Sequence, residues 1–136
     1  DELEQYAKNS PAADSITFLG DPGSDMIKSC FNDCDVFVLP SVANSEAFGI
    51  VQLEAMACGK PVINTRLETG VPDVSLHEVS GITVQPGSVD QLAEAMQLLV
   101  DDEQLRRRYG ENGRQRIREK FSLTKMMDRV YTEREG

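Results

Sequence analysis

The chain has 136 residues, of which 14 are basic and 23 are acidic, so its formal net charge is −9. This negative balance argues against a nucleic-acid-binding surface, because no general positive field is present to neutralise phosphates. No apolar run in the sequence approaches the length of a membrane span, and a chain of this size buries one core. The composition is therefore that expected of a single cytoplasmic domain.

Strands and helices are predicted to alternate along the chain, which favours an α/β fold. Four short apolar runs bounded by turn signals are the predicted strands: Ile16–Leu19, Val36–Leu39, Pro61–Asn64 and Ile82–Gln85. The second run ends at Pro40 and is expected to form the central strand of a parallel sheet.

The helices are predicted from apolar residues at helical spacing and from the residues that cap them. Ser88 and Gln91 form a capping-box pattern, Asp101 or Asp102 is expected to cap the next helix, and Ser122 a final one. The apolar faces are predicted at Met26, Ile27, Cys30 and Phe31, then at Leu92, Ala95, Met96 and Leu99, and then at Leu105, Tyr109, Ile117 and Phe121.

The most informative feature is a predicted strand-to-helix junction that carries two carboxylates, Glu46 and Glu54. The helix is predicted at Gly49–Cys58, and Gly59 should end it. At about 1.5 Å of rise per residue, the two carboxylates lie on the order of 10 Å apart along a helix. Ligands bind at the carboxyl edge of an open parallel sheet, where amide groups of a helix's first turn can donate to phosphate or sugar oxygens. The junction therefore suits a nucleotide-sugar pocket.

The stretch from Ser41 to Ile63 resembles the signature of the glycosyl transferases group 1 family, the large family of retaining glycosyltransferases with a GT-B fold. The matching features are Pro-Ser upstream of Glu46, Phe-Gly-Ile just after it, and Glu-Ala-Met-Ala-Cys-Gly-Lys-Pro-Val-Ile from Glu54 onward. The resemblance covers nearly the whole chain but only the second half of such an enzyme. It implies a Rossmann-like parallel sheet with flanking helices. Residues 1–136 would be a nucleotide-sugar-binding C-terminal domain, incomplete at its N-terminus.

The resemblance also implies a reaction. A glycosyl group would pass from a UDP-, GDP- or ADP-sugar to an acceptor hydroxyl with retention of configuration, in polysaccharide or glycolipid assembly, with no cofactor and no metal. In the family, the acceptor-binding domain and the basic pair that neutralises the pyrophosphate lie upstream of the matched region. Lys60 and Arg66 are the nearest cations, and Lys60 follows the far end of the motif helix. Asp1 already lies in a predicted helix and is no initiator methionine, so we expect a fragment. Because the basic pair and the acceptor-binding domain are missing from it, we expect this fragment to be inactive by itself.

The family's site residues carry over onto the motif position by position. Glu46 would be the catalytic carboxylate, which holds the hexose hydroxyls and favours the positive charge that develops on the sugar. The residues that bind donor sugar and phosphate would be the four that follow: Ala47, Phe48, Gly49 and Ile50. Glu54 would hold the ribose hydroxyls.

The cysteines and the single histidine predict no metal or redox site. Cys30, Cys34 and Cys58 are an odd set without a CxxC pair, and each lies in an apolar context, so reduced and buried thiols are expected. His77 has no second histidine and no suitably spaced cysteines beside it, and a loop imidazole is expected.

Half of the basic residues fall in the helix that follows the aspartate cap: Arg106, Arg107, Arg108, Arg114, Arg116, Arg118 and Lys120. One interpretation is a patch for anionic lipid or an acidic partner, which would place the enzyme at the inner face of the membrane. The other, which we favour, is a solvated helix face with cations toward its C-terminus.

Two other classes of protein fit parts of the sequence. A phospho-receiver domain would share the length, the acidity and the Lys60-Pro61 dipeptide, but the run Val36–Leu39 ends in Pro40 where a receiver needs an aspartate. A non-catalytic nucleotide-sugar-binding or scaffold module would keep the same fold, and the two intact glutamates argue against it.

Overall fold

The computed structural model describes residues 2–20, 23–40, 46–66 and 74–120, without the side chains of residues 24, 46–50 and 120. The final helix predicted after Ser122 and the packing of Phe121 lie outside the described residues. The chain divides into two compact units, one that extends to Cys30 and one that starts at Phe31.

The first unit contains helix α1 (Glu2–Lys8), a 3₁₀-helix (Ala13–Ser15) and most of helix α2 (Ser24–Asp33). The strand predicted at Ile16–Leu19 is wrong: these residues join no sheet in the described part of the chain, and all four are exposed. An apolar run becomes a strand only where a neighbouring strand accepts its backbone hydrogen bonds.

The apolar stripe predicted for α2 is also only partly buried. Met26, Ile27 and Cys30 are exposed, whereas Phe31 is buried and its ring lies 5.4 Å from that of Phe37. Helical spacing indicates that a face is apolar, but not how much of that face is covered.

The second unit is built on a parallel sheet, as predicted. Its strands are β1 (Phe37–Leu39), β2 (Val62–Thr65) and β3 (Gly81–Val84), in the order β1-β2-β3. In the described sheet β2, not β1, has a neighbour on both sides, so the prediction of a central strand at 36–39 is wrong. All four residues of β2 are buried, as expected of a strand covered on both faces.

In the part of the chain that the structure describes, three helices flank this sheet: α3 (Glu46–Ala57), α4 (Val89–Asp101) and α5 (Glu103–Lys120). Helix α3 starts at Glu46, three residues earlier than predicted. It ends as predicted, because Gly59 adopts a positive φ of 74° and its N–H and that of Lys60 donate to the carbonyls of Met56 and Ala55.

One face of the sheet packs against α4. Its core comprises Ile63 and Val84 from the strands, Ala95 and Leu99 from α4, and Tyr109 from α5. Full burial of a side chain such as Leu99 contributes about 1.5–3 kcal/mol. Of the apolar face predicted for α4, Met96 is the exception, because it is exposed.

The other face of the sheet packs against α3. Its core comprises Ala55 and Met56 from α3, Val62 from β2 and Phe31, with Ile117 of α5 packed beside them. Val62 and Ile63 therefore point to opposite faces, as the period of two in a strand requires.

The caps of α4 and α5 are largely those predicted. Asp102 caps α5 through a 2.9 Å bond from the Leu105 N–H. Ser88 accepts from the Gln91 N–H at 3.2 Å, but the Gln91 side chain accepts from the Gln85 N–H instead of closing the capping box. The glutamine therefore satisfies an amide just beyond the end of β3.

Candidate functional site

Helix α3 places the two motif carboxylates on one continuous helix. Glu46 is its first residue, and residues 46–50, the catalytic and donor-binding positions predicted from the motif, form its first turn and a half. Their side chains lie outside the described residues, so these roles stay predictions. Glu54 lies about 12 Å further along the axis and about 80° around it, and its side chain is exposed. A ribose-binding role requires that access.

A buried cluster of hydrogen bonds lies behind α3. The Asn64 side-chain amide donates to Gln52 Oε1 at 2.9 Å and to the Ser75 carbonyl at 3.1 Å, and Asn64 Oδ1 accepts from Thr83 Oγ1 at 2.6 Å. Gln52, Asn64 and Ser75 are at most 1% exposed. Buried polar groups must be paired, and this cluster pairs them across α3, β2, β3 and the segment that enters β3.

Two serines extend this network of hydrogen bonds into the segment before β3. The hydroxyls of Ser75 and Ser80 lie 2.9 Å apart, and Ser80 Oγ accepts from the Leu76 N–H at 2.9 Å. Both serines are buried. The segment 74–80 is thus closed on itself by side-chain oxygens and is fixed in place by Asn64.

Helix α5 holds the same segment from its other side. Arg116 Nε donates to the Val74 carbonyl and Asn112 Nδ2 to the Val79 carbonyl, both at 2.8 Å. Two other guanidinium groups cap the ends of helices. Arg106 donates to the Leu99 and Val100 carbonyls in the last turn of α4, and Arg114 donates to the Cys58 carbonyl just after α3. These contacts favour the structural interpretation of the basic helix over a lipid patch.

A cleft of about 190 Å³ opens at the carboxyl edge of the sheet. The residues just after or at the ends of the three strands, Pro40, Thr65 and Val84, line it together with the start of α4. This is the edge at which parallel α/β sheets bind ligands. Lys60 precedes β2 and so belongs to the opposite edge, as expected from its place after the motif helix.

The exposure of the three thiols differs in part from what the sequence predicts, and the imidazole accepts a hydrogen bond. The three cysteines are free; Cys30 is exposed, contrary to the prediction of a buried thiol, and Cys34 and Cys58 are half-buried. Burial raises the pKa of Cys34, and the charge of Lys60 opposes that shift. His77 Nδ1 accepts from the Thr83 N–H at 3.0 Å, so Nε2 carries the proton of the neutral ring.

The described residues contain neither a cluster of metal ligands nor a membrane-spanning helix. No three histidine, cysteine or acidic side chains come together as a metal site there. Likewise, no helix in the ranges given above has both the length and the apolar character needed to cross a membrane.

Sequence reasoning missed the residues behind the motif helix. Gln52 is the polar residue within an otherwise apolar turn of the helix, and Asn64 interrupts an apolar strand. A polar side chain at a position that periodicity assigns to the core was the available signal. It identifies the residues but not their partners, since those lie 11 to 19 positions away.

Comparison with known proteins gives a consistent result. The family model of glycosyl transferases group 1 matches residues 1–116. The O-antigen chain mannosyltransferase C of Escherichia coli is 39% identical over 98 residues, which cover 72% of this chain and 26% of that protein. The N-acetyl-alpha-D-glucosaminyl L-malate synthase of Bacillus anthracis is 34% identical over 128 residues, which cover 94% of this chain and 32% of that protein.

A solved structure agrees with these sequence matches. The crystal structure of Anabaena HepE in complex with UDP aligns with a TM-score of 0.86 and 26% identity over 98% of this chain and 36% of that one. The chain therefore spans only about a quarter to a third of the length of these relatives.

Proposed function

This chain belongs to the glycosyl transferases group 1 family, whose model matches residues 1–116, and we propose from that premise that it is the C-terminal, donor-binding half of a retaining hexosyltransferase. The observation that carries the proposal is the start of α3 at Glu46, in the first helix after the carboxyl end of β1. The unpaired amide groups of a first helical turn and its partial positive charge suit pyrophosphate and sugar oxygens.

The proposed donor is a nucleoside-diphosphate hexose. The structure of HepE contains UDP, and the relative from Escherichia coli is named as a mannosyltransferase of O-antigen chains. We propose a UDP- or GDP-sugar, for which the UDP in HepE is support, and a role in polysaccharide or glycolipid assembly, for which the name of the mannosyltransferase is support. Because the chain spans 26% of that relative, we assign acceptor binding and the cations that face the pyrophosphate to another part of the enzyme.

In the proposed reaction the bond between the anomeric carbon and the diphosphate oxygen breaks. A bond to the acceptor oxygen forms on the same face of the sugar, and the acceptor hydroxyl passes its proton to the departing diphosphate oxygen. Glu46 would stabilise the oxocarbenium-like sugar, and the amides of Phe48, Gly49 and Ile50 would donate to sugar and phosphate oxygens. Glu54 would bind the ribose throughout. The residues of this chain supply positioning and charge, which need neither a cofactor nor a metal.

We place the enzyme in the cytoplasm. A peripheral contact with the inner face of the membrane would use guanidinium groups of α5 that remain exposed, such as those of Arg107 and Arg118. Each of these already pairs with a glutamate of the same helix, at 2.9 and 3.2 Å. Such a contact would therefore be secondary to donor binding.

The test is Glu46→Gln in the complete enzyme. The amide keeps most of the shape of the carboxylate but loses its charge, which matters most in the transition state. We expect kcat to fall by an amount equivalent to about 2–4 kcal/mol, with a much smaller change in donor KM. The measurement is steady-state kinetics with UDP-, GDP- and ADP-sugars at saturation.

The control is Glu94→Gln, which neutralises an exposed carboxylate on α4. It should leave both constants unchanged. A near-normal kcat for Glu46→Gln would mean that Glu46 only positions substrate. If the complete enzyme bound a nucleotide sugar but transferred it to nothing, the non-catalytic binding module would be the correct function.

A further inference from the structure

Helix α3 presents opposite faces to ligand and to core. Gln52 and Glu54 lie about 200° apart around the helix axis. Glu54 is exposed, whereas Gln52 is 0% exposed and hydrogen-bonded to Asn64 of β2. The side of the helix opposite the proposed ribose-binding carboxylate is therefore anchored by an amide, where an apolar side chain would be the default.

Asn64 connects three parts of the unit at one point. Its side chain donates to Gln52 on α3 and to the Ser75 carbonyl, and it accepts from Thr83 on β3. Thr83 is also the residue opposite Asn64 in the parallel ladder. The amide thus ties α3 to the start of the segment 74–80, whose other end meets β2 through the bond from the Val62 N–H to the Ser80 carbonyl.

The segment 74–80 is held at its start by two side chains from other elements. The Val74 carbonyl accepts from Arg116 of α5 and the Ser75 carbonyl from Asn64 of β2. The residue that follows β2 is held as well, because the Arg66 N–H donates to the Val84 carbonyl at 2.8 Å. The Gln52–Asn64 bond joins α3 to these fixed points, beside the apolar contacts that Ala55 and Met56 make.

Directional bonds determine a position more sharply than apolar packing does. Two methylene surfaces can slide by fractions of an ångström at little cost, whereas a buried amide that loses its partner pays the desolvation of the orphaned group. A side-chain bond at 2.9 Å with both partners at most 1% exposed therefore fixes the rotation of α3.

We propose that the Gln52–Asn64 amide pair positions α3 for nucleotide-sugar binding by fixing its donor-facing side relative to the segment 74–80. Both are positioning residues, because they act through Glu54 and the first turn of α3. The inference rests on the proposed function of this site. It adds that donor affinity is set in part from behind the helix.

The experiment compares variants of the complete enzyme. Gln52→Met removes the amide at nearly constant length, Gln52→Glu keeps an acceptor oxygen for Asn64, and Asn64→Ala removes the partner. Leu99→Ala is the matched control, because Leu99 is fully buried on α4 in the other core cluster. Dissociation constants are measured by calorimetry with UDP-glucose, GDP-mannose and ADP-glucose, alongside unfolding in urea.

We expect Gln52→Met to weaken binding of the preferred donor about tenfold, the loss of one buried hydrogen bond. Gln52→Glu should recover part of that loss, because it keeps the acceptor oxygen for Asn64 but buries a carboxylate. In the Asn64→Ala background Gln52→Met should change the dissociation constant less than about twofold, because the Gln52–Asn64 hydrogen bond is already lost. Leu99→Ala should lower stability without changing donor affinity. Amide exchange should quicken at Leu76 and Thr83 in Gln52→Met and not in Leu99→Ala.

The outcomes separate the two proposals. A wild-type enzyme that bound none of the three donors would overturn the proposed function and the positioning role with it. If the wild type bound a donor and Gln52→Met bound the same donor with equal affinity, the positioning role alone would be overturned. Equal losses in Gln52→Met and Leu99→Ala would also overturn it, because affinity would then follow stability.

Discussion

Neighbouring residues on one helix meet different physical demands. Glu54 is exposed and available to a ligand, while Gln52, two positions earlier, is buried and fully engaged. Sequence spacing alone separates their directions, since residues two apart on a helix point away from each other. Which direction is the core depends on the sheet behind α3.

The role of each arginine of α5 likewise depends on the groups that lie beside it. Arg106, Arg114 and Arg116 donate to backbone carbonyls at the ends of helices or of the segment 74–80. Arg107 and Arg118 pair with glutamates of their own helix. Pairs between exposed side chains contribute only about 0–1 kcal/mol, so the carbonyl contacts are the more consequential use of this charge.

Glu54→Ala in the complete enzyme tests the ribose assignment. Charge-assisted hydrogen bonds to a ribose that stays bound throughout the reaction contribute equally to the ground and transition states. We therefore expect donor KM to rise by an amount equivalent to about 1.5–3 kcal/mol, with little change in kcat. Steady-state kinetics with varied donor measure both constants.

Glu94→Ala serves as the comparison, because it removes an exposed carboxylate of α4. It should leave donor KM unaltered. A Glu54→Ala enzyme with wild-type donor affinity would remove Glu54 from the site.

At the scale of elements, α3 and α5 meet through glycines. A Cβ on Gly110 of α5 would strike the carbonyl oxygen of Gly59, which ends α3. A Cβ on Gly113, almost one turn later, would lie 3.5 Å from Met56, an ordinary contact. The backbones of the two helices therefore come too close for a side chain at Gly110, but not at Gly113.

This difference predicts opposite effects of the same substitution. Gly110→Ala should destabilise the protein by about 1–3 kcal/mol, because backbone must move to admit the methyl group. Gly113→Ala should be neutral or stabilising by up to about 1 kcal/mol, since alanine is the better helix former. Urea unfolding of both variants measures the two free energies. Equal losses at the two sites would show that the helices do not cross as described.

At the scale of the whole molecule, the chain carries the motif that we propose binds the donor, and it spans 26% to 36% of the three relatives named above. A pocket that relies on cations and an acceptor surface from elsewhere loses most of its binding energy when those parts are absent. We expect the isolated 136-residue chain to fold, to bind nucleotide sugars only weakly and to transfer no sugar.

Circular dichroism and calorimetry with the same donor panel test this expectation, with the complete enzyme as the positive control. Micromolar affinity or measurable transfer by the isolated chain would contradict it. In that case the chain itself would supply the charges that we assign to another domain.

The sequence by itself determined the features that depend on local chemistry. Alternating periodicities indicated the parallel α/β sheet, Gly59 indicated the end of α3, Asp102 was one of the two caps expected for α5, and the carboxylate motif indicated the family. The helix end and the cap follow from residues close together in the chain, and the motif is one continuous stretch from Ser41 to Ile63, so backbone preference and spacing decide the outcome. The side-chain roles of residues 46–50 remain predictions of that motif.

The tertiary structure decided what depends on residues far apart in the chain. It left Ile16–Leu19 outside the described sheet, put β2 between its neighbours, and brought Gln52, Asn64 and Thr83 into one buried network. Strand order and buried hydrogen bonds are set by which surfaces meet when the chain collapses. No local pattern encodes those meetings, because the stabilisation belongs to the pair and not to either residue.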